Sequence, residues 1–290
     1  MKSMLDHASE NNYAVMAVNC VSMEILRAII DAAEEQHSPI IVNISPRQFK
    51  AHAPLELIVP MYTSYAASAS VPIALNLDHG QSYEDITKAL RLGFTSVMFD
   101  GSTLPFEKNI EYTRIIRSLS REYACSLEAE LGHVGVAAEG DDETNALYTD
   151  VDEAVQFIQQ TQVDCLAVAI GTAHGSYPKG KKPKIDFNRL KELKEALKIP
   201  LVLHGGSGAG EENIRRAVQL GINKINVCTD LFNHGREALR TALTETPHID
   251  LMDLQHVSQL AMKDYIKNYI AMIGSSNRYD YDVSKAKALD

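Results

Sequence analysis

No stretch of the chain stays apolar over the ~20 residues that a membrane-spanning helix requires, which reads against a membrane protein. Basic residues are in deficit: 28 Lys and Arg stand against 38 Asp and Glu, a formal net charge of −10. The one basic cluster, Lys179 to Lys184, is short. Nucleic acids and anionic membranes are held by Lys/Arg clusters, so neither is an expected partner. Cysteine is sparse too, with Cys20, Cys125, Cys165 and Cys228 at spacings that form no CxxC and no disulfide framework. Each lies in or beside an apolar run, which predicts buried free thiols and a cytoplasmic location. The opening MKSMLDHASENN is too polar for a signal peptide. No GxGxxG follows the first apolar run, and no composition break splits the chain, which disfavours a doubly wound open sheet.

What the 290 residues do contain is alternation. Short apolar runs occur at Tyr13–Val18, Ile40–Ile44, Pro72–Leu77, Thr95–Phe99, Cys125–Leu131, Asp164–Ile170, Pro200–Leu203 and Ile222–Val227. Helical periodicity lies between them, at Ser22–Glu35, Tyr83–Leu92, Phe106–Tyr123 and Glu211–Leu220. Alternating strands and helices imply right-handed parallel βαβ units. Eight such units predict a (β/α)8 TIM barrel, a single domain over 1–290 in which 249–290 form a C-terminal helical extension. Two long polar loops, Gly135–Thr149 and Ser176–Lys184, read as lids or as simply mobile segments.

In such a barrel the chemistry sits at the C-terminal ends of the strands. Strand 3 ends in LDHG (77–80), strand 6 in GTAHG (171–175) and strand 7 in HGGSG (204–208). His79, His174 and His204 thus take equivalent positions on three strands, each followed by glycine. The other histidines are read as structural, except His133, which lies close enough to the mouth to be ambiguous. Imidazoles beside carboxylates suit Zn²⁺ with one position left open. Glu128 and Glu130 share a strand face and need a buried partner, a metal or a lysine. The glycine-rich turn after strand 7 and NVCTD (226–230) after strand 8 occupy the barrel's usual phosphate position.

The strings LDHG, EAELG (128–132), GTAHG, HGGSG and NVCTD, with FDGS (99–102), resemble the class II ketose-bisphosphate aldolases over nearly the whole chain. That resemblance implies retro-aldol cleavage of a ketose (bis)phosphate to dihydroxyacetone phosphate and an aldehyde. It implies Zn²⁺ on His79, His174 and His204, with Glu130 as an additional or alternative ligand and Asp100 supporting the metal region. Asp78 would be the general acid/base, and Glu139 the loop carboxylate in proton transfer. Gly175, Gly205, Ser207 and Thr229 would hold the phosphate beside a monovalent cation, Na⁺ or K⁺. Asn19 and Asn226 would line the pocket, with Ser45 and Lys179 as further substrate contacts. For Asp78 and His79 to share one site the backbone must leave the strand here, which Gly80 permits.

Departures from the family pattern bear on the substrate. Cys228 stands where the fructose type carries an acid, Phe232 where a cation is common, and Arg47 where glycine is usual. Arg47, Lys179, Arg278 or a residue of a neighbouring subunit is then expected to supply the missing cation. The expected substrate is a non-glycolytic ketose 1-phosphate or bisphosphate. A Schiff-base aldolase is disfavoured, because Lys224 lies early in its strand. The alternative function is a catalytically inactive barrel assisting a partner aldolase. A homodimer or homotetramer is the expected assembly.

Overall fold

Eight strands form in the computed structural model, which describes residues 1–135, 148–175, 177 and 183–278. They are β1 (Val15–Asn19), β2 (Ile40–Ile44), β3 (Ile73–Gly80), β4 (Ser96–Phe99), β5 (Ser126–Leu131), β6 (Cys165–Val168), β7 (Leu201–Leu203) and β8 (Ile222–Val227). All pair in parallel and close in chain order, β8 returning to β1 with Met16 opposite Ile225. This is the (β/α)8 barrel. Nearly every strand residue is buried, as expected of a parallel sheet covered on both faces.

The helices are α1 (Lys2–Glu10), α2 (Met23–Glu35), α3 (Pro46–Ala51), α4 (Leu55–Ser68), α5 (Tyr83–Arg91) and α6 (Phe106–Glu122). They continue with α7 (Val151–Thr161), α8 (Phe187–Leu197), α9 (Glu211–Gln219), α10 (Thr229–Glu245) and α11 (Leu251–Met272). Several begin on a side chain that accepts an otherwise unpaired N–H: Ser22 for α2, Ser82 for α5, Asp150 for α7 and Asp250 for α11. Each such cap contributes ~1 kcal/mol. The C-terminal extension is α11, which packs against α10 and α2 and buries Met262, Ile266 and Ile270.

Strand alternation sorts the side chains into two layers. Leu127, Ala129 and Leu131 of β5 join the layer between barrel and helices. Val15, Ala17, Ile41, Ala74, Met98, Ala167 and Val202 form a second cluster with Met4, Leu5 and Ala8 of α1. Helix α1, which the periodicity search misses, thereby closes the N-terminal end of the barrel. Its apolar positions number too few to stand out from the polar MKSMLDHASENN. The chain after β2 turns directly into a helix that the periodicity does not mark, α3, with Ser45 as its cap and Pro46 in the first turn. The site lies at the opposite, C-terminal end of the strands.

Candidate active site

The three strand-end histidines converge. Donor nitrogens of His79, His174 and His204 lie within 4.8 Å of one another, and so do donor atoms of His79, Asp100 and Glu130. His204 Nδ1 is 2.9 Å from His79 Nε2, and His79 Nδ1 is 3.1 Å from Asp100 Oδ2. His133 instead meets Ser102, whose hydroxyl donates to Asp100.

The backbone of β3 explains how adjacent residues serve one site. The β3–β4 register shifts between Leu77 and Gly80, and His79 adopts φ of +52°. The expected departure at Asp78–His79 is made by His79 itself, which takes the left-handed conformation. Gly80 is required for clearance: a Cβ there would stand 2.6 Å from the Met98 carbonyl oxygen. Unlike Gln162 and Lys198, whose positive φ ends a helix, His79 takes this conformation at the end of a strand.

Behind the histidines runs a buried chain. Glu128 accepts from the Lys224 ammonium at 2.5 Å and lies 2.9 Å from His204 Nε2, and all three side chains are fully buried. Burial would push the Glu128 carboxyl up, but Lys224 and His204 hold it below the usual range. With the Glu128 oxygen facing Nε2–H, His204 presents a lone pair at Nδ1 to the cluster. Lys224 is therefore the lysine that the paired glutamates required, although it had been considered only as a nucleophile.

Glu130 differs. Its Oε1 accepts from Val134 N–H, while Oε2 is buried 4.0 Å from His204 Nδ1 with no hydrogen-bond partner among the described residues. Burial and the neighbouring Asp100 raise its carboxyl to about 8. Burial, then His79 and His204, lower His174 to about 3, so it stands as a neutral imidazole with one ligand lone pair. Burial opposes charge on His79 too, yet Asp78, Asp100 and Glu130 raise it to about 10. Asp78, Asp100 and Glu128 hold their charge beside one ammonium here, so positive charge is favoured at His79. An orphaned carboxylate oxygen beside clustered imidazoles, in an anionic surround, fits a divalent cation.

Asp78 is held from both sides. Its Oδ2 accepts from Asn19 at 3.0 Å and its Oδ1 from Asn226 at 2.9 Å. Burial alone would raise this carboxyl, but His79, His204, Lys224 and the Asn19 amide bring it below its ordinary value. Asp78 therefore carries its charge at neutral pH.

Part of this cluster opens onto one cavity of about 660 Å³. Asp78, His79, His174, Asn19, Ser45, Gly175, Gly205, Ser207, Asn226 and Thr229, each singled out in the sequence, line it. His204, Asp100 and Glu130 do not line it; His204 and Glu130 are buried behind the wall. Glu139 and Lys179 lie outside the described residues, as does most of both long loops. In the Gly205–Gly208 turn, Gly205 has φ of +67° and presses on the Ala173 carbonyl, where a Cβ would come within 2.5 Å. Gly208 N–H donates to Asp230, whose own N–H meets Ser207 Oγ, so α10 is tied to the turn.

Three expectations are corrected. Arg278 is remote from the cavity, its guanidinium stacked 5.2 Å from the Tyr13 ring near the α1 end of the barrel. Cys228 is half-buried rather than buried and forms part of the cavity wall. His52, read as structural, lines the cavity with Arg47 and Phe232. Gln48 was missed altogether, although the Ser45-x-x-Gln48 spacing of a capping box marks it.

Comparison with known proteins agrees with this geometry. The family described as fructose-bisphosphate aldolase class-II matches residues 1–278. The YdjI aldolase of Escherichia coli K12 is 33% identical with a TM-score of 0.84, covering 96% of this chain and 98% of that one. A Coccidioides immitis structure, provisionally named a fructose-1,6-biphosphate aldolase, is 28% identical with a TM-score of 0.86, covering 97% and 98%. The fold alone is shared with fructose-bisphosphate aldolase (Fba) of Campylobacter jejuni, at 21% identity, a TM-score of 0.82 and coverage of 95% and 94%. Fold and family together define an aldolase, a carbon–carbon lyase built on a (β/α)8 barrel. The chain belongs to the class-II fructose-bisphosphate aldolase family.

Proposed function

We propose that this aldolase reversibly cleaves a non-glycolytic ketose 1-phosphate or bisphosphate to dihydroxyacetone phosphate and an aldehyde, with Zn²⁺ on His79, His174 and His204. The observation that carries it is the convergence of three imidazoles, two of them lining one cavity together with the doubly held Asp78 carboxylate. Glu130, with its unpartnered oxygen, is the additional or alternative ligand, and Asp100 orients His79. A divalent ion held there supplies Lewis-acid stabilisation of the negative charge that cleavage leaves on the ketose half.

The protein's own groups do the rest. Asp78 takes the proton of the C4 hydroxyl; the O–H pair becomes the aldehyde carbonyl, and the C3–C4 pair goes to the dihydroxyacetone half. Glu139 is the proposed carboxylate for proton transfer at C3. Asn226, whose Oδ1 is buried without a partner, and Asn19 position Asp78 and the hydroxyls beside it. Gly175, Gly205, Ser207 and Thr229 hold the C1 phosphate, with Ser45 and Lys179 as further contacts and Na⁺ or K⁺ nearby. Arg47 is the cation proposed for the far end of the substrate. Among the described residues it is the one Lys or Arg lining the cavity.

The intact site does not favour an inactive assisting subunit. We read the chain as one domain, as a homodimer or homotetramer, and as cytoplasmic. No described helix is long and apolar enough to cross a membrane. A panel of ketose phosphates, assayed for dihydroxyacetone phosphate, tests the substrate reading. Higher kcat/KM on longer or epimeric ketose phosphates is expected; a strong preference for fructose 1,6-bisphosphate would overturn it.

A further inference from the structure

Gln48 stands apart from the residues with an assigned role, yet it touches two of them. Its Oε1 accepts from Ser45 N–H at 2.9 Å and from Asn19 Nδ2 at 3.2 Å. Asn19 Nδ2 also donates to Asp78 Oδ2 at 3.0 Å. The Asn19 amide thus has both protons committed, one to Gln48 and one to Asp78. Turned over, it would set its oxygen against two acceptor oxygens, so the observed orientation is strongly preferred. Gln48 could not make this choice if it rotated freely. The Ser45 N–H fixes it, because in the capping box the Gln48 oxygen must face the start of α3. The chain of bonds therefore runs from the end of β2 through Gln48 to the end of β1 and then to Asp78 on β3.

We infer that Gln48 is a positioning residue for the carbon–carbon cleavage step, acting through Asn19 to hold Asp78 in the orientation that accepts the hydroxyl proton. The inference rests on Asp78 being the acid/base. An acid/base misplaced by a fraction of an ångström loses much of its effect, whereas binding at the phosphate end is unaffected. Gln48→Met removes the acceptor at nearly constant length. It should lower kcat for cleavage ~10- to 100-fold, with KM changed less than ~3-fold and Tm lowered by less than ~5 °C.

The decisive readout is a comparison of two reactions of the same protein. Solvent exchange of the C3 hydrogen of dihydroxyacetone phosphate, followed by NMR in D₂O, does not use Asp78. Gln48→Met should keep that exchange within ~2-fold while cleavage falls. In an Asn19→Ala background, Gln48→Met should add little, because the two act in series. Gln48→Glu, which keeps an acceptor for both donors, should retain the parent's ratio of cleavage to exchange; it also carries the test if the methionine variant does not fold. Equal loss of cleavage and exchange, additive effects with Asn19→Ala, or no loss of cleavage would overturn the inference. Asp78→Ala is measured alongside: loss of cleavage with exchange retained secures the Asp78 reading, so that a failure of Gln48 is judged alone.

Discussion

Asp78 and His79 are neighbours in sequence, and in a regular strand they would point to opposite faces. The left-handed φ of His79 removes that conflict, bringing an acid/base and a metal-capable imidazole to one mouth. The proposed roles separate on mutation. Asp78→Asn keeps the shape but removes the proton acceptor and leaves an acceptor for only one of the Asn19 and Asn226 amides; kcat should fall ~10²- to 10⁴-fold with KM little changed, in steady-state cleavage assays. Glu128→Gln should act differently, because Glu128 touches no substrate and sets the tautomer of His204. Zinc affinity, read by competition with a chromogenic chelator, should weaken ~10- to 100-fold. Unchanged zinc affinity in that variant would remove Glu128 from the metal's support.

At the scale of the element, β5 and β8 depend on one another through charge. Lys224 and Glu128 are 96 residues apart and fully buried, and each is the other's compensation. Lys224→Met leaves Glu128 uncompensated and should cost about 3–5 kcal/mol in urea unfolding. Adding Glu128→Gln should recover a substantial part of that loss, the sign of a coupled pair. Helix α1 gives an independent check on how the barrel closes. Leu5 is 1% exposed among barrel-interior side chains, so Leu5→Ala should cost about 2–5 kcal/mol while leaving kcat largely intact, since α1 lies at the end away from the site.

These elements also show what could be read before the structure. The eight strands were legible because buried parallel strands are short apolar runs, and the histidines because each is followed by a turn glycine. Ser207, Thr229 and Asn226 were legible on the resemblance of their surrounding strings to a known family. Helix α1 was not, because three buried residues in a polar segment give little periodicity. Nor were the Lys224–Glu128 pair, the Gln48–Asn19 bond or the left-handed His79. Each depends on how the strands meet in the closed barrel, across its interior for Lys224 and Glu128 and side by side for the other two, and no local window of sequence contains that information.

The whole molecule carries a net charge of −10 and is proposed to act on an anion. No conflict arises, because the substrate is proposed to be held locally, its C1 phosphate by turn and helix-terminus groups, its ketose half by the metal and its far end by Arg47. The buried carboxylates of the barrel mouth contribute to the acidic balance and suit a cation at the same place. The most direct test is therefore zinc titration of chelator-stripped protein, with dihydroxyacetone phosphate release from a ketose phosphate panel as the readout. We predict that stripping abolishes cleavage, that one zinc per chain restores it, and that His204→Ala neither retains the metal nor recovers. Cleavage that survives complete removal of metal, or its absence from every ketose phosphate with zinc bound, would contradict the account.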